Sequence, residues 1–79
     1  MYRLRFYENG RFCTELGGPM VTVAIAARQL REITSTIAGA SEMDKVLGVK
    51  WLRSGQTPCA IVVVNEFGMM IANVEEDAQ

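Results

Sequence analysis

Residues 2–7 alternate, with Tyr2, Leu4 and Phe6 on one side and Arg3 and Arg5 on the other. A period of two with one apolar side marks a strand half in contact with a core. Asn9-Gly10 follows, a pair suited to a tight hairpin turn, and residues 11–16 return as a second strand. Two registers compete. A two-residue Asn9-Gly10 loop pairs Leu4 with Glu15 and Arg3 with Leu16, which mixes charged and apolar groups on both faces. A three-residue loop, Glu8-Asn9-Gly10, with Gly10 as a left-handed bulge residue, pairs Phe6 with Phe12, Leu4 with Thr14 and Tyr2 with Leu16. Arg3 then meets Glu15 on the opposite face. The second register separates apolar from polar, and it is the one the pattern predicts.

Beyond Gly17-Gly18-Pro19 the period becomes helical. Ala26, Leu30, Ile33 and Ile37 recur at intervals of four, three and four, forming one stripe. Thr22 is placed to cap the start and Gly39 to stop the end. Residues 40–45 read as a polar connector. Residues 46–53 read as a third strand, with Val49 and Trp51 on one side and Lys50 and Leu52 on the other. Gly48 within it predicts a bulge or a later start. Residues 59–65 and 69–74 make a second hairpin around Asn65-Glu66-Phe67-Gly68. Its register sets Val64 opposite Met70, Val62 opposite Ala72 and Ala60 opposite Val74. This fully apolar set is assigned to the helix side, which leaves Ile61, Val63 and Ile71 on the other side. The predicted order is β-β-α-β-β-β in a single domain, residues 1–79. That is an α+β fold with one antiparallel sheet of about five strands and one helix packed on one face. A β-grasp-like arrangement is the alternative, and the pattern does not give the strand order.

The most demanding stretch is Cys59-Ala60-Ile61-Val62-Val63-Val64, which contains no polar residue. A strand apolar on both sides needs both faces covered, and one helix covers one face. A second copy or a protein partner is therefore expected on the other. Ile61, Val63 and Ile71 would form the centre of that surface, with Arg3, Arg5 and Lys50 as its polar rim. A homodimer with sheets face to face is the simplest form. On this reading Val63→Glu leaves the protomer folded and weakens association.

Composition refines this picture. A chain of 79 residues has a marginal core, and association is a common remedy. Eight Lys and Arg stand against nine Asp and Glu, which argues against a large phosphate-binding footprint. Arg3, Arg5, Arg11 and Lys50, with Tyr7 nearby, leave a local one open. Two cysteines, Cys13 and Cys59, are fewer than a disulfide scaffold of this size carries. The opening residues do not read as a secretory signal, and no apolar run approaches the ~20 residues of a membrane span. A cytoplasmic protein with reduced thiols and no membrane contact is expected.

The chain has no histidine, so a cysteine nucleophile would lack its usual base. Arg5 opposite Cys13 could activate a thiol, but a strand cysteine is more often a packing residue. No cysteine, histidine and carboxylate set converges as metal ligands do. Glu8 and Glu66 fall in turns, Glu15 faces an arginine, and Gly17-Gly18 is too short to cradle phosphate. The expectation is a binding protein, with no catalytic, cofactor or metal residues.

In size and layout the chain, from Tyr2-Arg3-Leu4-Arg5-Phe6-Tyr7 through residues 69–74, resembles small phage-encoded inhibitor proteins of the anti-CRISPR kind. The resemblance rests on layout and carries no motif. It implies a stoichiometric blocker that docks on a CRISPR effector complex in the host cytoplasm. Glu75, Glu76 and Asp77 would then occupy basic DNA channels, since carboxylates can stand in for phosphates. The alternative is a small homodimeric regulatory or antitoxin-like protein of a mobile element that touches nucleic acid through Arg3 and Arg5. The partner surface expected from the sequence is thus Arg3, Arg5, Ile61, Val63, Ile71, Glu75, Glu76 and Asp77.

Overall fold

Thr22 is extended (φ −125°, ψ 156°), and its hydroxyl oxygen accepts the Ile25 N–H at 3.1 Å. That side chain satisfies a donor that the first helical turn leaves without a partner, and the helix predicted from the stripe begins there. In the computed structural model, which describes residues 1–73, the elements are β1 (Tyr2–Glu8), β2 (Arg11–Met20), α1 (Val23–Thr34), β3 (Ser41–Glu42), β4 (Gly48–Arg53) and β5 (Thr57–Val64). They form an α+β fold, with one antiparallel sheet in the order β2-β1-β5-β4-β3 and the helix on one face.

The helix carries the chain from one edge of the sheet to the other. Its 12 residues span about 18 Å, close to the roughly 19 Å between the two edge strands of a five-stranded sheet. It therefore touches β1, β2, β4 and β5. Ala26 and Leu30 are buried against Leu4, Val49, Ile61 and Val63, with Ile33 and Ile37 packed at the margin. After Thr34 the chain tightens into turns, and Gly39 takes the left-handed conformation (φ 77°) that redirects it toward β3.

The first hairpin differs from the predicted register. Asn9 and Gly10 both have positive φ, 55° and 77°, so the turn is the two-residue form. Glu8 faces Arg11 and Tyr7 faces Phe12. The pairing then slips by one, so that Phe6 faces Thr14, Arg5 faces Glu15 and Leu4 faces Leu16. Cys13 is the extra residue of a bulge. The slip resolves the conflict that argued against the short loop, because it returns Leu16 to the apolar side and Glu15 to the arginines. A second irregularity, at Gly17-Gly18-Pro19, brings Met20 opposite Tyr2. Arg5 therefore does not face Cys13, and Phe12 does not face Phe6.

The face assignment of β5 is also reversed. Ile61 (2% exposed) and Val63 (0%) lie under the helix. Ile71 is half-buried against the same core. These three cannot form an open partner surface, because Leu4, Val49 and the helix already cover them. Val62 (1%) and Val64 (0%) face the other way and are buried too, within this one chain. A Cβ at Gly48 would lie 3.0 Å from both Met43 Sδ and Val62 Cγ1, which places Met43 over Val62. At the Val64 end, the turn at Gly68 lies on the Arg5 guanidinium. A long methionine, an arginine stem and a turn thus do what was expected of a second copy.

The remaining differences lie at the sheet margins. The third strand is the short Ser41–Glu42, within the predicted connector, held by pairing Ser41 with Lys50 and Glu42 with Val49. Gly48 opens β4 without a bulge. Residues 69–73 form no full strand. Met70 bridges to Val64 as the register had it, but Ala72 bridges to Val46 instead of Val62. Ile71 N–H donates to Val63 O and its carbonyl accepts from Leu47 N–H, so this segment fills the gap where β4 leaves the sheet. Among the described residues no helix is long and apolar enough to cross a membrane.

Two variants check this architecture. Val63→Glu is expected to abolish the folded state, seen as loss of the thermal transition, because an unpaired carboxylate would be buried under the helix. A folded V63E protomer would refute the face assignment. Gly48→Ala is expected to lower the urea midpoint by the equivalent of about 1–3 kcal/mol, since its Cβ would sit 2.7 Å from Ile61 O.

Candidate functional site

Two surfaces stand out once the core is accounted for. The first lies at the end of the sheet where β1 starts, β2 and β5 finish and α1 begins. Asn65 shapes its tip. The Asn65 Oδ1 accepts the Phe67 N–H at 2.9 Å and the Met69 N–H at 3.0 Å. Its carbonyl accepts the Gly68 N–H, and its own N–H donates to Met69 O. Gly68 supplies the positive φ (80°) that closes the turn. With its polar groups so occupied, the turn projects Phe67 (78% exposed), Met69 and Met70 outward. The terminal ammonium of Met1 lies 3.7 Å from Glu66 Oε2, which brings the exposed Met1 side chain to the same end. Val21, just after the Tyr2–Met20 pair, and Ile25, in the first helical turn, are exposed there as well. Among the described residues, six of the eight exposed large hydrophobic side chains thus belong to one end of the molecule, where methionines offer adaptable contact.

The second surface is the face of the sheet away from the helix. Arg3, Arg5 and Tyr7 of β1 lie on it, as the alternation predicted. The Arg3 Nη1 donates to Glu15 Oε2 at 2.8 Å, and Arg5 Nε lies 3.7 Å from Glu15 Oε1. The Arg5 guanidinium carbon sits 5.2 Å from the centroid of the Phe12 ring, and that ring packs edge-on to Tyr7 at 6.0 Å. Phe12 is on this face because the bulge at Cys13 lets it face Tyr7. Lys50 lies on the same face through its pairing with Ala60.

On the helix side, an open groove of about 450 Å³ lies between α1 and the β4 edge, with Leu30 and Val49 in its wall and Arg31 and Glu42 as its charged groups. Beyond the helix, Phe6 and Trp51 stack at 6.0 Å, and Arg53 pairs with Glu8 at 2.8 Å. Cys13 is exposed and Cys59 buried, and neither is in a disulfide. Among the described residues, no three histidine, cysteine, aspartate or glutamate side chains come together as metal ligands would.

Of the residues expected at a partner surface, Arg3 and Arg5 share the open sheet face. Ile61, Val63 and Ile71 belong to the core side. Glu75, Glu76 and Asp77 lie outside the described residues. Phe12 was missed because no residue type announces the bulge at Cys13. The apolar end does not show in the sequence pattern, because it gathers residues from four separate segments. The chain matches no protein-family model, no curated protein and no solved structure.

Proposed function

We propose that this protein is a non-catalytic, protein-binding inhibitor of the anti-CRISPR kind, which docks through its apolar end on a nucleic-acid-handling complex in the cytoplasm of a host cell. The observation that carries the reading is the gathering of Met1, Val21, Ile25, Phe67, Met69 and Met70, all exposed, at one end of so small a domain. Clustered exposed apolar groups mark protein contacts. A rigidly held phenylalanine flanked by methionines fits the role of an anchor with an adaptable surround. The carboxylates of Glu75, Glu76 and Asp77 remain part of the proposal as phosphate stand-ins. The apolar end replaces the inner sheet residues as the docking surface, and burial of β5 no longer calls for a second copy.

Purified CRISPR effector complexes, assayed for target-DNA binding and cleavage with increasing amounts of this protein, test the proposal. One complex is expected to be blocked at a near-equimolar ratio. The double substitution Phe67→Glu with Met69→Glu is expected to weaken the block by about thirtyfold or more, the loss of one anchor residue. Its urea midpoint should stay unchanged, because both side chains already face water. Full activity of every complex in the presence of excess protein overturns the reading, as does an undiminished block by the double variant. A stable dimer found in the first case favours the small homodimeric regulator instead.

A further inference from the structure

The sheet face away from the helix carries a row of side chains that docking through the apolar end leaves without a role. Tyr7 pairs with Phe12 on one side and with Ala60 on the other, and Ala60 pairs with Lys50. Directly paired residues project to the same face, so the four cross β2, β1, β5 and β4 in one line. Three strand spacings separate Phe12 from Lys50, about 14 Å. The Phe12 ring, at one end, is 52% exposed, and Lys50, at the other, is exposed. Ala60 between Tyr7 and Lys50 leaves a shallow trough.

The charges beside this row are under-used. Arg5 Nε is buried and has no hydrogen-bond partner among the described residues. Its nearest carboxylate oxygen, on Glu15, is 3.7 Å away, and the other Glu15 oxygen already takes Arg3 at 2.8 Å. On the strands of this face Arg3, Arg5 and Lys50 stand against the single carboxylate of Glu15, although the chain as a whole carries a net charge of −1. The face is therefore locally opposite in sign to the molecule. An open aromatic ring with cations beside it and across a trough is complementary to a base followed by its phosphates. The ring must receive the flat side of a base, which a duplex keeps stacked and a single strand presents.

We propose that this row is a binding site for single-stranded nucleic acid. A base stacks on Phe12 beside Tyr7, the backbone crosses the trough over Ala60, and Lys50 and Arg5 take phosphates. The bulge at Cys13 makes the site, because the pairing it interrupts decides that Phe12 lies on the open face. The Phe12 end of the site is roughly 20 Å from Met1 by the length of the strand, while Arg5 meets the turn at Gly68, so the two surfaces adjoin through that arginine.

Fluorescence anisotropy of labelled oligouridylate, oligothymidylate and a short DNA duplex, titrated with the full chain, tests the site. Saturable binding of one or both single strands is expected, with the duplex weaker. Comparison of the two single strands shows whether RNA or DNA is preferred. Between about 50 and about 200 mM salt, two phosphate contacts should weaken binding roughly sevenfold. Phe12→Ala is expected to weaken it roughly five- to hundredfold, while Phe12→Trp retains it. Lys50→Ala should lower the salt slope by about 0.7. Val21→Glu, exposed at the apolar end and just beyond the Tyr2–Met20 pair, should leave binding unchanged, which separates this site from the apolar end. The proposal is overturned by absence of saturation at ~1 mM protein, well above ordinary non-specific dissociation constants, by equal affinity for the duplex, or by indifference to Phe12→Ala. It is equally overturned if Phe12→Ala changes the sedimentation mass and not the anisotropy, since the face would then be a protein contact.

Discussion

Val62 and Val63 are neighbours that point in opposite directions, and both are removed from water. A central strand buried on both sides constrains everything around it. On one side the constraint is met by α1, whose length is close to the distance it must cross. On the other side, among the described residues, there is no second layer, and Met43, Arg5 and the turn at Gly68 provide cover. Those groups serve because each is long or closely apposed. A methionine lies over a glycine, and an arginine stem shields apolar surface while its head reaches a carboxylate. Gly48 is therefore a packing residue, since Met43 occupies the space its side chain would need.

This economy leaves the protein with two unlike exposed surfaces. The end beyond the helix start collects hydrophobic side chains that the core has no room for. The open sheet face keeps an aromatic ring and cations in register. The first resembles the centre of a protein interface and the second a short electrostatic stacking platform. Met1 directly precedes β1 and Tyr7 lies near its far end, so one strand sets the distance between the outer parts of the two surfaces, while Arg5 and the turn at Gly68 bring their inner parts together.

Local chemistry was legible in the sequence, and choices between equal alternatives were not. The Thr22 cap, the Asn9-Gly10 turn and the strand nature of residues 59–64 follow from short-range preferences, and all are present, whereas the helix ends at Thr34, before the stop expected at Gly39. The side of β5 that meets the helix was not legible. When every residue is apolar, alternation carries no information, and the decision passes to Leu4, Val49 and Leu30, whose positions depend on strand order. The register of the first hairpin failed for a related reason. The residue pattern distinguishes loop lengths only for an unbroken ladder, whereas the chain uses the short loop and corrects the facing with a bulge. Ser41–Glu42 becomes a strand only because β4 offers an edge there. For the candidate site, Arg3, Arg5, Tyr7 and Lys50 were placed by simple alternation, while Phe12 depended on the bulge.

The central pairing of the sheet joins β1 to β5, so Leu4 meets Val63 almost the whole chain later. The β1-β2 hairpin can close early and α1 can cover its apolar side, but the second edge of β1 has no partner until β5 arrives. During synthesis the nascent chain would therefore carry an unpaired β1 edge until residues 57–64 emerge. Contacts of such long sequence separation slow folding, and an unpaired edge invites pairing with other chains. Arg3 and Arg5 put positive charge on that strand, and charge on an exposed edge disfavours pairing with a second copy.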